Sequence, residues 1–125
     1  MLVQVVGQTV VKTEKPPYHV PSMAEIAAMP WNGLTAISTF SGCGGSCLGY
    51  RMAGFKVAWA SEFIPAATEV YRANHPETIL DTRDIRKVQP AEILDAIGLK
   101  AGEIDLMDGS PPCASFSTAG KREKH

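Results

Sequence analysis

The stretch Asp108-Gly109-Ser110-Pro111-Pro112-Cys113-Ala114-Ser115-Phe116-Ser117 is the part of the chain best equipped for covalent chemistry. Two adjacent prolines fix φ and remove two backbone donors, so Cys113 follows a stiff segment that can present its thiol in one place. A cysteine attacks as its thiolate, which electropositive surroundings or backbone N–H groups stabilise. Lys121, Arg122 and Lys124 are close enough in sequence to be candidates for that field. Zinc is a poor alternative, because Cys43 and Cys47 sit within a glycine turn and no further His or Cys pair completes a four-ligand set.

A second group of residues points to a bound nucleoside. Ser41-Gly42-Cys43-Gly44-Gly45 follows an apolar run and precedes a helical pattern. It opens like a dinucleotide fingerprint, yet Cys47 stands where the third glycine belongs, which weakens a nicotinamide or flavin reading. Glycines at such a turn allow unusual backbone angles and close approach of a ligand to the main chain. The helix start behind them favours an anion, a carboxylate as readily as a phosphate. Glu62, twenty residues after Gly42, ends a second apolar run, where a carboxylate can accept from the paired hydroxyls of a ribose. Together they imply an adenosine-bearing ligand. Asp84, expected to close a third strand, could meet an adenine amino group or serve as a cap or turn residue.

The elements that must position these groups alternate. LTAISTF is apolar on both parities, as strands covered on both faces of a parallel sheet are. A helix follows the glycine turn and stops at Gly54, then comes the strand FKVAWAS, and Pro65 starts the helix AATEVYRAN. TILDTRDI predicts a short third strand, Pro90 opens the helix AEILDAI, Gly98 ends it, and IDLM predicts the fourth strand ahead of the loop DGSPPCASFSTAG. Alternation of this kind predicts an α/β fold: a Rossmann-like, doubly wound parallel sheet in three layers, with ligands beyond the carboxyl ends of its strands. Residues 1–33 differ in character: VQVVGQTVVK predicts a strand pair about Gly7, and Ser22 with Glu25 has the spacing of a capping box on a short helix that Pro30 ends.

The 125 residues are enough for one domain, and 45% hydrophobic with 20% charged residues excludes a wholly disordered chain. Twelve Lys and Arg against thirteen Asp and Glu give a net charge of −1, so any nucleic acid must be gripped locally or through another segment. Three cysteines without a signal-like start predict free thiols and a cytoplasmic location. No apolar run approaches the roughly 20 residues that span a bilayer.

FSGCGGSCLGY, SEF with YRANHP, DI and SPPCASFS resemble, in that order, the first four conserved blocks of the cytosine-5 DNA methyltransferases. The resemblance covers about residues 34 to 120, with the proline-cysteine block its most specific part. It implies S-adenosylmethionine as cofactor, surrounded by Phe40, Ser41, Gly42, Cys43, Gly44 and Gly45. Glu62 would hold its ribose, Asp84 and Ile85 would meet its adenine, and Phe63, Asp108, Ser110 and Pro111 would also bind the cofactor. Cys113 would be the nucleophile in a restriction-modification type of DNA methylation, forming a covalent adduct with a cytosine flipped out of double-stranded DNA. Ala114 stands where the family often has glutamine, and Pro111 where it often has phenylalanine or glycine. The family's later blocks have no counterpart before His125, so the resemblance implies an amino-terminal part (34–125, after an extension over 1–33) of a fragmentary or split enzyme. Such a part is expected to need a complementing polypeptide or to self-associate through its fourth strand. Other readings are a non-catalytic S-adenosylmethionine-binding module, a tRNA cytosine-5 methyltransferase and a nucleotide-cofactor oxidoreductase.

Overall fold

The structure is a computed structural model that describes residues 3–6, 9–12 and 14–113. Strands β1 (Val3–Val6) and β2 (Thr9–Lys12) pair antiparallel as a separate two-stranded sheet. Helix α1 (Met23–Ala27) carries the expected capping box, with Ser22 Oγ accepting from the Glu25 N–H and Glu25 accepting from the Ser22 N–H.

The main sheet begins with β3 (Thr35–Thr39), all of whose residues are buried. It continues through α2 (Gly45–Met52), β4 (Lys56–Ser61), α3 (Pro65–Asn74) and β5 (Ile79–Asp81). A single 3-10 turn (Ile85–Lys87) leads into α4 (Pro90–Ile97) and then β6 (Leu106–Gly109). Pro65 and Pro90 occupy the first turns of their helices, where a missing N–H costs no hydrogen bond. Gly98 ends α4 at a φ of 70°. All pairings in this sheet are parallel and the order is β5-β4-β3-β6.

Both faces are covered, which makes three layers. Ala36, Val57 and Ala60 pack with Cys47 of α2 and Tyr71 of α3 on one side. Ile37 and Trp59 pack with Val88, Ile93 of α4 and Ile85 on the other. The strand partners explain how Val57 and Ala60 share a face although they differ in parity. Ala36 pairs with Val57 but Ile37 pairs with Trp59, so β4 contains one extra residue, Ala58. Such a bulge re-aims every side chain beyond it, here Trp59 into the α4 layer and Glu62 toward the turn after β3.

Two strand boundaries differ from expectation. The third strand stops at Asp81 and not at Asp84, because the Asp81 carboxylate turns back to accept the Arg83 N–H at 3.0 Å. Asp84 instead caps the 3-10 turn, accepting the Arg86 N–H. The fourth strand was expected over Ile104 to Met107 but runs Leu106–Gly109. Asp105 delays it by using its carboxylate for the Thr35 N–H at 2.8 Å, while Asp108 and Gly109 lie within the strand, paired with Ser38 and Thr39, and not in the loop after it.

Trp59 is 1% exposed and is the largest fully buried side chain among the described residues. Trp59→Ala is expected to destabilise the chain by about 3–5 kcal/mol, since the α4 layer cannot close over so large a cavity. Urea unfolding followed by circular dichroism measures this directly, and a loss under about 1 kcal/mol would mean that the layer packs otherwise.

Candidate functional site

The carboxyl end of β3 enters an unusual backbone path. Phe40 has a φ of 53°, a left-handed conformation that a bulky residue seldom adopts, and Gly42 and Gly44 follow at 56° and 91°. Hydrogen bonds fix this path: the Ser41 N–H donates to Ser61 O at 2.9 Å, Ser41 Oγ donates to Ser38 O at 3.1 Å, and the Gly44 N–H donates to Ser41 O at 3.0 Å. The turn is thereby tied to the end of β4.

Glu62 supplies the strongest tie. Its Oε2 accepts the Gly42 N–H at 2.9 Å, while Oε1 accepts the N–H groups of Phe63 and Ile64, both at 2.9 Å. The residue is 9% exposed, so it is not the solvated acid that commonly follows a strand. A carboxylate has roughly four acceptor sites. Three are used by backbone, which leaves capacity on Oε2 for one ligand hydroxyl. At the other end of the turn, Gly44 is the N-cap of α2 and offers no side chain to it. The first N–H groups of that helix therefore receive no side-chain acceptor from the cap.

These groups border a cavity of about 310 Å³ lined by Phe40, Ser61, Glu62, Phe63, Arg83, Asp84, Ile85, Arg86 and Pro112. It thus unites the expected residues Phe40, Glu62, Phe63, Asp84 and Ile85. Ser41, Gly42, Cys43, Gly44 and Gly45 form the turn beside it without lining it. Among the described residues on the β6 side, Pro112 alone reaches the wall, while Asp108, Ser110, Pro111 and the exposed Cys113 do not. Asp108 points back toward β3, where Ser38 Oγ donates to it at 3.4 Å, and burial together with Asp108 pushes the Tyr50 phenol above its ordinary range. Lys121, Arg122 and Lys124 lie outside the described residues.

Three wall residues escaped sequence reasoning, Ser61, Arg83 and Arg86, and Pro112 was expected to stiffen the Cys113 segment without being assigned to a wall. The arginines left a signal in the repeat Asp81-Thr82-Arg83 and Asp84-Ile85-Arg86. Arg86 binds the Asp84 carboxylate through Nε at 3.0 Å and Nη2 at 2.5 Å, which with its own backbone N–H pulls the Asp84 pKa down to about 2. Arg83 binds Asp81 in the same way, at 2.7 Å through Nη2, and holds that carboxyl below its ordinary range. The guanidiniums are exposed and the carboxylates half-buried, so these pairs add little stability, but they keep both acids ionised and fix the polar rim of the cavity.

The family model for C-5 cytosine-specific DNA methylase matches residues 34–125. The type II methyltransferase M.AquIA of Picosynechococcus is 45% identical over 86 residues, covering 69% of this chain and 35% of that protein. M.NgoPII of Neisseria gonorrhoeae is 41% identical over 90 residues, covering 72% and 24%. Among solved structures, a prophage-encoded E. coli protein described as a DNA modification methyltransferase superposes with a TM-score of 0.59 at 33% identity, over 67% of this chain and 24% of that one. Spodoptera frugiperda DNMT2 gives 0.55 at 28% identity, over 73% and 26%. The chain therefore spans about a quarter to a third of the length of these proteins. The match to the family model begins one residue before β3 and includes every residue of the cavity wall, and by it the chain belongs to the C-5 cytosine-specific DNA methylase family.

Proposed function

We propose that this chain is the amino-terminal part, over residues 34–125, of a DNA cytosine-5 methyltransferase, with the cavity as its cofactor pocket and Cys113 as its nucleophile. Family membership implies S-adenosylmethionine as the cofactor. The observation that carries the residue assignments is a shared wall: Pro112, the neighbour of Cys113, lines the cavity onto which Glu62 opens.

The wall suits such a ligand. Glu62 has an acceptor to spare for a ribose hydroxyl, Phe40, Phe63 and Ile85 offer apolar surface for an adenine ring, and the start of α2 offers N–H donors to a carboxylate. The cavity volume falls at the low end of the range of about 300–1,000 Å³ usual for small-molecule sites. Asp84, held ionised by Arg86, can accept from an exocyclic amino group. The cofactor contributes one thing to the chemistry, an electrophilic methyl group on a sulfonium.

The protein's part begins with the base. Cytosine within a duplex cannot reach the carboxyl edge of a sheet, so the target nucleotide is turned out of the helix at a cost of a few kcal/mol. The Cys113 thiolate adds to carbon 6 of the ring, and the displaced electron pair makes carbon 5 nucleophilic. After methylation the proton on carbon 5 leaves, the carbon 5–carbon 6 double bond returns and the Cys113 sulfur departs with its electrons. The two prolines hold the attacking atom still while this happens. Strand β6 pairs only with β3 among the described residues and has Met107 exposed, which leaves an open edge for a complementing polypeptide to extend the sheet.

Calorimetric titration with S-adenosylhomocysteine should show affinity at least about tenfold weaker for Glu62→Ala, since an acceptor and a tie of the glycine turn are lost together. Equal affinities would remove Glu62 from the site. For the enzyme completed by the rest of its sequence, DNA carrying 5-fluorocytosine should form a covalent adduct, because fluorine cannot leave from carbon 5 as a proton does. Cys113→Ala should abolish that adduct and leave S-adenosylhomocysteine affinity within about threefold. An adduct that persists in the variant would assign the nucleophile elsewhere.

A further inference from the structure

The glycine turn is held from behind as well as from the cavity. His75, which follows α3, is 3% exposed, and its Nε2 lies 3.0 Å from Gly44 O. The same carbonyl accepts the Leu48 N–H at 2.9 Å in the first turn of α2. A Cβ on Gly44 would come within 2.4 Å of His75 Nε2, so the imidazole packs directly beneath the turn. Its other nitrogen, Nδ1, lies 3.1 Å from Arg51 Nη1, which also donates to Asn74 O at 2.7 Å.

This geometry fixes the tautomer. A guanidinium has only donors, so Nδ1 must accept and Nε2 must carry the proton that Gly44 O receives. A doubly protonated ring would set an N–H of His75 against an N–H of Arg51, with two positive charges in contact. We propose that neutral His75 is a positioning residue for the cofactor turn, latching the Gly44 carbonyl through Nε2–H, and that protonation opens this latch and lowers cofactor affinity. The affinity clause rests on the cavity being the cofactor pocket. The latch itself does not.

The surroundings agree with a neutral ring. From α2 it meets Arg51, while from α3 it meets Tyr71, whose ring centroid is 4.5 Å away and which itself packs with Cys47 of α2. Glu77 lines the neighbouring groove with Arg51, and no carboxylate hydrogen bonds to His75 among the described residues. Burial first, and then Arg51, hold His75 below the ordinary histidine range. Because its folded pKa is depressed, the contribution of the neutral form is complete above the ordinary value of about 6.5 and is lost as the pH falls below it.

The test compares wild type with His75→Gln, whose side-chain amide can donate to Gly44 O but cannot gain a proton, and with His75→Ala. Long-range nitrogen–proton NMR of the wild type should find the Nε2–H tautomer at pH 8. Amide protection of residues 42–48, corrected for intrinsic exchange, should fall on acidification in the wild type but not in His75→Gln. S-adenosylhomocysteine affinity, measured from pH 8 to pH 4.5, should fall at least about threefold more in the wild type than in His75→Gln, and the two should agree within about threefold at pH 8. His75→Ala should bind about tenfold more weakly at pH 8. An Nδ1–H tautomer, or parallel pH profiles in wild type and His75→Gln, would overturn the latch, and both can be read even if His75→Ala fails to fold. Absence of binding by the wild type at pH 8 would overturn the cofactor reading and the affinity clause, while the tautomer and the protection data would still decide the latch.

Discussion

Three backbone N–H groups converge on the carboxylate of Glu62, and the rest of the site depends on that convergence. Gly42 belongs to the turn after β3, whereas Phe63 and Ile64 lead from β4 into α3. One side chain thus joins two successive crossovers of the sheet at the place where both leave it. The donors that satisfy the buried charge are the same groups that would otherwise be unpaired at the ends of two strands. Removing the carboxylate would strand those donors and loosen a turn that already contains Phe40 in a left-handed conformation. The aim of that carboxylate and the local fold are in this sense one constraint.

That convergence needs an accurate register upstream. The extra residue Ala58 places Trp59 opposite Ile37 and lets Ser61 O meet the Ser41 N–H beyond the end of β3. Without the bulge the parity of the last residues of β4 would reverse, and a one-residue slip turns each side chain to the opposite face. Trp59 would then face the α2 layer and Glu62 would face away from the turn. The buried tryptophan therefore stabilises the register on which the polar site relies, which links the core packing of the α4 layer to the aim of a carboxylate three residues away.

Much of the architecture was legible in the sequence because its punctuation is local. Pro65, Pro90, Gly98 and the Ser22–Glu25 pair act within one turn of the chain, and they mark helix limits that tertiary contacts did not move. The alternation of apolar runs and helices that predicts a parallel sheet is met by four strands, all paired parallel. Strand ends were less legible, since Asp81 and Asp105 cut or delay a ladder with their side chains, and only the folded chain shows which backbone group each one meets. Glu62 could be named from spacing, and Phe63 and Ile85 from the family resemblance, but the three N–H bonds that bury the acid could not. His75 stood in the quoted block YRANHP without a role, because its partner Gly44 lies 31 residues earlier and no periodicity joins them.

The charges of the wall bear on what the pocket prefers. Arg86 is neutralised by Asp84, and Arg83 lies between Asp81 and Glu92, at 2.7 and 3.2 Å. Each guanidinium on the rim thus already faces carboxylate, which leaves Glu62 as the wall charge balanced only by backbone dipoles. A pyrophosphate-bearing ligand would bring further negative charge against that carboxylate, with no arginine free of an acid partner among the described residues of this wall to receive it. A ligand with vicinal hydroxyls and a net positive charge would meet the opposite situation: one hydroxyl would donate to Glu62 and the cationic centre would lie in a negative field. In a partly enclosed site that difference is larger than in water. The electrostatics of the wall thus favour a sulfonium nucleoside over a dinucleotide, independently of the missing third glycine in the turn.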